Sequence, residues 1–181
     1  MLDDTTMQIM LNELLELYSN PDTDAVEVYL KKMHPLAEAK YVPAKAFFVT
    51  CLDDKRWDWR YDSLSALGLH YDLSNDDEIK DKLRYMLLND EDDTIRSVAA
   101  ASLGRCTIWA EKALFASLQT EPDRTVREDV FLALMLQGGM PFSMYIETAK
   151  KLRNGEIEPN LIELKNFLQL LKLSPRFPSD V

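Results

Sequence analysis

Chemistry in this chain would have to start from a short supply of nucleophiles and metal ligands. There are two histidines, His34 and His70, and two cysteines, Cys51 and Cys106. A zinc or iron site needs such residues at a spacing that lets one helix face or loop present two donors. His34 is followed by Pro35 and His70 by Tyr71, so neither belongs to a His-Glu or His-x-x-x-His pair. Each cysteine sits in an apolar helical run, Phe47-Phe48-Val49-Thr50-Cys51-Leu52 and Ala101-Ser102-Leu103-Gly104-Arg105-Cys106. There a thiol behaves as a small buried hydrophobe. The chain has no Gly-rich phosphate loop and no nucleophile elbow. The run Asn89-Asp90-Glu91-Asp92-Asp93 offers oxygen ligands but lacks the glycine and closing glutamate of a calcium loop, so a capped turn is expected. The sequence therefore nominates no catalytic residue, no metal ligand and no cofactor.

What must position any site is a set of helices. Three-and-four spacing of apolar residues recurs along the chain. Met7, Met10, Leu11, Leu14, Leu15 and Tyr18 mark a first helix over 3–18, ended by Asn20-Pro21. A second starts near Asp22 and is expected to stop at His34-Pro35. Further helices are read over 42–52, from Trp57 to Gly68, from the cap Asp76 through Leu87, from Asp93 to Leu103, and over 108–118. Three more run from Asp123 to Gly138-Gly139, from Pro141 to Arg153 with Asn154-Gly155 closing it, and from Pro159 through Leu171. The tail 174–181 carries two prolines and is expected to be loose. No alternating strand pattern appears, and with 46% hydrophobic and 29% charged residues the composition is that of a globular chain.

Charge narrows the partners. Lys and Arg total 21 against 31 Asp and Glu, a net charge of −10. The first 30 residues hold seven acids and no base. Nucleic acid and anionic membrane both require a positive field, so neither is expected as a partner. The cysteine count implies no disulfide framework and is compatible with a reducing compartment. The start of the chain has no positive segment before an apolar core, and no uncharged apolar stretch reaches membrane-spanning length. A cytoplasmic location is expected.

An internal repeat organises the helices. Arg60, Arg96 and Arg127 are each preceded by an apolar residue: Trp59, Ile95 and Val126. Four positions on stand Leu64, Ala100 and Phe131; seven positions on stand Leu67, Leu103 and Leu134; eight positions on stand Gly68, Gly104 and Met135. Four positions before stand Arg56, Asp92 and Asp123. The separations of 36 and 31 residues accommodate a helix, a turn and a second helix. Asp92 and Asp123 suit helix starts, Gly68 and Gly104 suit helix ends, and the arginines are expected to reach acids of neighbouring repeats as a ladder.

This pattern resembles the HEAT repeat, most closely the short HEAT-like form found in phycobilin lyases. The clearest copy is Asp92-Asp93-Thr94-Ile95-Arg96-Ser97-Val98-Ala99-Ala100-Ala101-Ser102-Leu103-Gly104, and the resemblance is best over 57–154. It implies an all-α fold, a right-handed α-α superhelix of about three to four helix pairs with capping helices, as one solenoid domain over 1–173. Enzymes are built on this scaffold too. Deoxyhypusine hydroxylases bind iron through His-Glu pairs, which this chain lacks. Alkylpurine DNA glycosylases of this fold use a basic groove, against which the net charge argues. Phycobilin lyase subunits are usually longer or paired chains.

In such repeats the second helix of each pair lines the concave side. Residues on those helices outside the core stripe are then the candidates for partner binding: Asp77, Asp81, Arg84 and Tyr85; Trp109 and Lys112; Met144 and Lys151. Trp109 is either an exposed anchor or a filler between repeats, and Tyr85 and Tyr145 share that ambiguity. Trp59 is expected in the core and Trp57 outside it. The expectation is a non-catalytic module that holds a protein partner, in one form an acidic inhibitor or immunity protein for a basic effector. The alternative is a subunit of a phycobilin-lyase-like or other HEAT-fold enzyme. The oligomeric state is not legible.

Overall fold

The computed structural model describes residues 3–20, 23, 25–106 and 112–171, the side chains of Ala25, Val26 and Phe142 apart. Among them every regular element is helical. The helices gather into two compact units, Met1–Leu73 and Ser74–Val181.

The first unit contains α1 (Asp4–Tyr18), α2 (Ala25–Val28), a π-helical turn (Tyr29–Met33), α3 (His34–Glu38), α4 (Val42–Cys51) and α5 (Trp57–His70). Asp3 caps α1 by accepting from the Thr6 N–H at 2.7 Å. The α1 stripe Met7, Leu11 and Leu14 turns inward and joins Met33, Leu36, Phe48, Trp59, Leu64 and Leu67 in the core.

His34-Pro35 does not stop a helix, contrary to the sequence reading. The helix runs through it because the preceding turn is π-helical. The His34 N–H reaches back five residues to the Tyr29 carbonyl, and this wider turn accommodates a proline that has no N–H to give. The chain then turns sharply at Lys40, whose φ of 52° is left-handed. Lys40 N–H bonds the Ala37 carbonyl and Tyr41 N–H the Leu36 carbonyl, the paired bonds of a Schellman end.

The second unit contains α6 (Asp77–Asn89), α7 (Asp93–Cys106), α8 (Lys112–Thr120), α9 (Arg124–Gln137), α10 (Phe142–Arg153) and α11 (Leu161–Leu170). Asp76, Asp123 and Asn160 cap α6, α9 and α11 through their side-chain oxygens. The same Schellman bonds close α9 at Gly139 and α10 at Gly155, both glycines with positive φ.

The expectation that Gly68 and Gly104 end helices is corrected: α5 continues to His70 and α7 to Cys106. Gly104 serves close packing instead. A Cβ built there would stand 2.8 Å from the Ala133 Cβ and 2.9 Å from its Cα, so the missing side chain lets α7 lie directly against α9. No helix among the described residues is long and apolar enough to cross a membrane. The tail 174–181 lies outside the described residues.

Candidate functional site

The three aligned arginines make the same bonds. Arg60 Nη1 donates to the carbonyls of Asp54 and Lys55 at 2.9 and 3.2 Å. Arg96 Nη1 donates to those of Asp90 and Glu91 at 3.0 and 3.3 Å, and Arg127 Nη1 to those of Glu121 and Pro122 at 2.9 Å each. Each guanidinium thus folds back over the loop before its own helix and satisfies carbonyls six and five residues earlier.

The residue six positions before each arginine is an acid, and this the sequence alignment missed. Its carboxylate accepts from the N–H two residues on: Asp54 from Arg56, Asp90 from Asp92, and Glu121 from Asp123, at 2.8, 3.0 and 3.0 Å. Asp92 and Asp123 then cap their helices, accepting from the N–H groups of Ile95 and Val126. The acidic run at 90–93 is accordingly a capped turn. The signal was in the sequence as an acid two residues before each Asp cap; in the first copy Arg56 stands where the cap should be.

Beyond these shared bonds the copies diverge. Arg96 forms a two-pronged pair with Glu121, Nε and Nη2 each at 2.9 Å from one carboxylate oxygen, and the Glu121 side chain is 5% exposed. Arg127 instead approaches the exposed Glu158, at 3.9 Å. Arg124 fastens the next turn: it bonds Glu128 at 2.9 Å and Glu158 at 2.6 Å, and reaches the Leu152 and Ile157 carbonyls.

In the first copy Arg56 explains its own departure from Asp. It clamps both oxygens of Asp54, at 3.0 and 2.9 Å, and lies over the rings of Tyr18 and Trp59 at 4.8 and 4.9 Å. Tyr18 donates to Asp54 at 2.5 Å. The Arg56 guanidinium first, and then the Tyr18 hydroxyl, hold the Asp54 carboxyl well below the usual carboxylate range.

The nominated partner-binding residues fall on the surface of the second unit. On α6, Asp77, Asp81 and Tyr85 are exposed and Arg84 is half-buried, its Nη1 2.6 Å from Asp81. Asp77 pairs with Lys80 at 2.7 Å. Tyr85 is 68% and Leu88 46% exposed. Together with Asp81 and Arg84 they form one solvent-facing stripe, opposite the buried Ile79, Leu83, Met86 and Leu87. Lys112, at the start of α8, is exposed. On α10, Met144 is half-buried and Lys151 pairs with Glu147 at 2.7 Å. Trp109 lies outside the described residues. Trp59 is fully buried and Trp57 is 54% exposed.

A second set of polar groups, not nominated from sequence, lies in the first unit. Asp62, on α5, is 7% exposed, and its Oδ2 has no hydrogen-bond partner among the described residues. Burial first, and the like charge of Asp58 second, push its carboxyl up to about 7. Nearby Tyr29 is raised by burial and then by the charge of Asp62. The His34 ring meets Tyr29 at 5.8 Å and His70 at 5.5 Å. So two histidines 36 positions apart in sequence do meet, through the turn that carries the chain past Pro35.

Cys51 is fully buried, and burial pushes its thiol up to about 12, which leaves it a poor nucleophile. Among the described residues no three of His, Cys, Asp and Glu are grouped to hold a metal ion. No family model, curated protein or solved structure matches the chain.

Proposed function

We propose that the chain is a HEAT-like helical repeat protein, a right-handed α-α superhelix of three to four helix pairs, that works in the cytoplasm as a non-catalytic module for a protein partner. What supports the repeat is the arginine bond made three times at the same offset. The observation that carries the binding role is the α6 stripe. Tyr85 and Leu88 stand exposed on it beside Arg84, an apolar centre with a charged rim of the kind that anchors protein partners. The net charge of −10 makes a basic partner the natural complement, because opposite fields steer encounter. An inhibitor or immunity protein for a basic effector is one form of this reading.

The test is affinity capture from the native cell with wild-type protein and with the Tyr85→Ser/Leu88→Asp double variant, each checked for helicity. The expected result is a basic protein recovered at stoichiometric level by the wild type and lost by the variant. Recovery of nothing at that level, or equal recovery by both, overturns the proposal.

A further inference from the structure

The last turns of α6 and α8 meet at a cavity of about 250 Å³ in the second unit. Leu87, Leu88 and Asn89 enter its wall from the end of α6, and Ser117 and Thr120 from the end of α8. A helix C-terminus carries a partial negative charge, which a lysine or arginine in the last turn ordinarily offsets. Neither α6 nor α8 has a basic residue there. Two negative helix ends therefore face one space. Leu88, Asn89, Thr120 and Pro122, all of them lining residues, are exposed, so the mouth of the cavity is open to solvent.

The charged side chains lining it are two acids, Asp90 and Glu121, and one base, Arg96. Arg96 and Glu121 neutralise one another through two bonds of 2.9 Å, and the remaining Arg96 nitrogen is turned to the Asp90 and Glu91 carbonyls. An entering anion would have to compete for a guanidinium whose three nitrogens already donate. An entering cation instead meets the charge in excess, that of Asp90, which is half-buried. Ser117 adds a wall hydroxyl: the residue is 2% exposed and its Oγ has no partner among the described residues.

Shape selects among cations. The volume lies just below that of pockets for drug-sized molecules, about 300–1,000 Å³, and suits a single side chain. Leu87, Leu88 and Pro122 offer apolar surface for a methylene stem whose charged head stays among polar groups. No lining residue is aromatic, so a guanidinium has no ring to lie against, whereas a compact ammonium needs none. Leu88 belongs both to this cavity and to the exposed α6 stripe.

We propose that the cavity is the socket for a lysine side chain of the protein partner, seated between the ends of α6 and α8 with Asp90 as its counter-charge. This rests on the reading of α6 as the partner surface and assigns the residue type that the partner places beside Leu88.

The probes are a five-residue peptide with one central lysine, the same peptide with norleucine or with arginine in its place, and spermidine, each titrated by calorimetry at low salt. The expected result is saturable binding of the lysine peptide, weaker binding of the arginine peptide and none of the norleucine peptide. Asp90→Asn keeps an oxygen for the Asp92 N–H and should weaken the lysine peptide by about twofold to fivefold. Thr120→Lys, at an exposed position, should place the protein's own ammonium in the socket, abolish peptide binding and raise the urea midpoint. Tighter binding of spermidine than of the lysine peptide identifies a free polyamine and overturns the proposal. So do equal binding of the norleucine peptide, tighter binding of the arginine peptide, unchanged binding by both variants, or no binding of the lysine peptide at millimolar concentration. These titrations use the free protein, so their failure is distinct from failure of the α6 stripe, which the capture experiment reads.

Discussion

Removing Arg96 and removing Arg127 should have very different consequences, although the two residues hold the same position in the repeat. Both donate to two loop carbonyls. Arg96 also neutralises Glu121, whose side chain is 5% exposed, whereas Arg127 faces an acid that is 54% exposed and 3.9 Å away. Arg96→Met leaves a buried carboxylate without its cation, which costs roughly 3–5 kcal/mol. Arg127→Met loses hydrogen bonds from a charged donor at a half-exposed site, at the low end of about 1.5–3 kcal/mol. Its surface ion pair adds little. Converting Glu121 to Met in the Arg96→Met background removes the orphaned charge and should recover most of the loss, although the Asp123 N–H then loses its acceptor. Urea denaturation followed by circular dichroism, with all four corners of the Arg96–Glu121 cycle, measures the coupling. Equal losses for the two arginine variants, or a double variant as unstable as Arg96→Met, would refute the assignment of the buried pair as the difference between the copies.

Three further outcomes are expected. The Asp62 carboxyl binds its proton more tightly folded, at about 7, than at its ordinary 3.8. Stability should therefore fall as pH rises from about 4 to 7, by at most roughly 4 kcal/mol; thermal melts of wild type and Asp62→Asn should lie closest below about pH 4 and favour the variant increasingly from pH 5 to pH 8. Gly104→Ala gains helix propensity of about 1 kcal/mol, but its Cβ would sit 2.8 Å from that of Ala133. The net effect should be a loss of about 1–2 kcal/mol, partly restored by Ala133→Gly in the same denaturation assay. Cys51, fully buried with its thiol pushed up to about 12, should resist a thiol-specific chromogenic reagent in native protein and react once urea unfolds it.

The parts of the molecule that could be read from sequence are those set by a few neighbouring residues. Asp76 and Asp123 cap helices because a short acceptor reaches an N–H three residues on, and Gly139 and Gly155 close helices with positive φ. Gly104 was misread because a missing Cβ permits either a left-handed end or a close approach, and only the α9 side of the contact decides which. His34-Pro35 was misread because a π-helical turn is invisible in a pattern of period 3.6. Asp62 escaped notice since a lone acid among Tyr61, Ser63 and Ser65 reads as a solvated position, and its burial depends on helices distant in the chain. Trp109, the side chain on which the sequence reading leaned most, lies outside the described residues.

The bonds from these arginines to loop carbonyls span at most six positions of the chain, from residue 54 to 60, from 90 to 96 and from 121 to 127. A fastening so local can close before distant helices find one another, and loops this short close on the timescale of tens of nanoseconds. It also travels intact with its own segment. A segment that carries the loop and its arginine together keeps both carbonyl bonds, because each pair of carbonyls lies within the six residues before its own arginine.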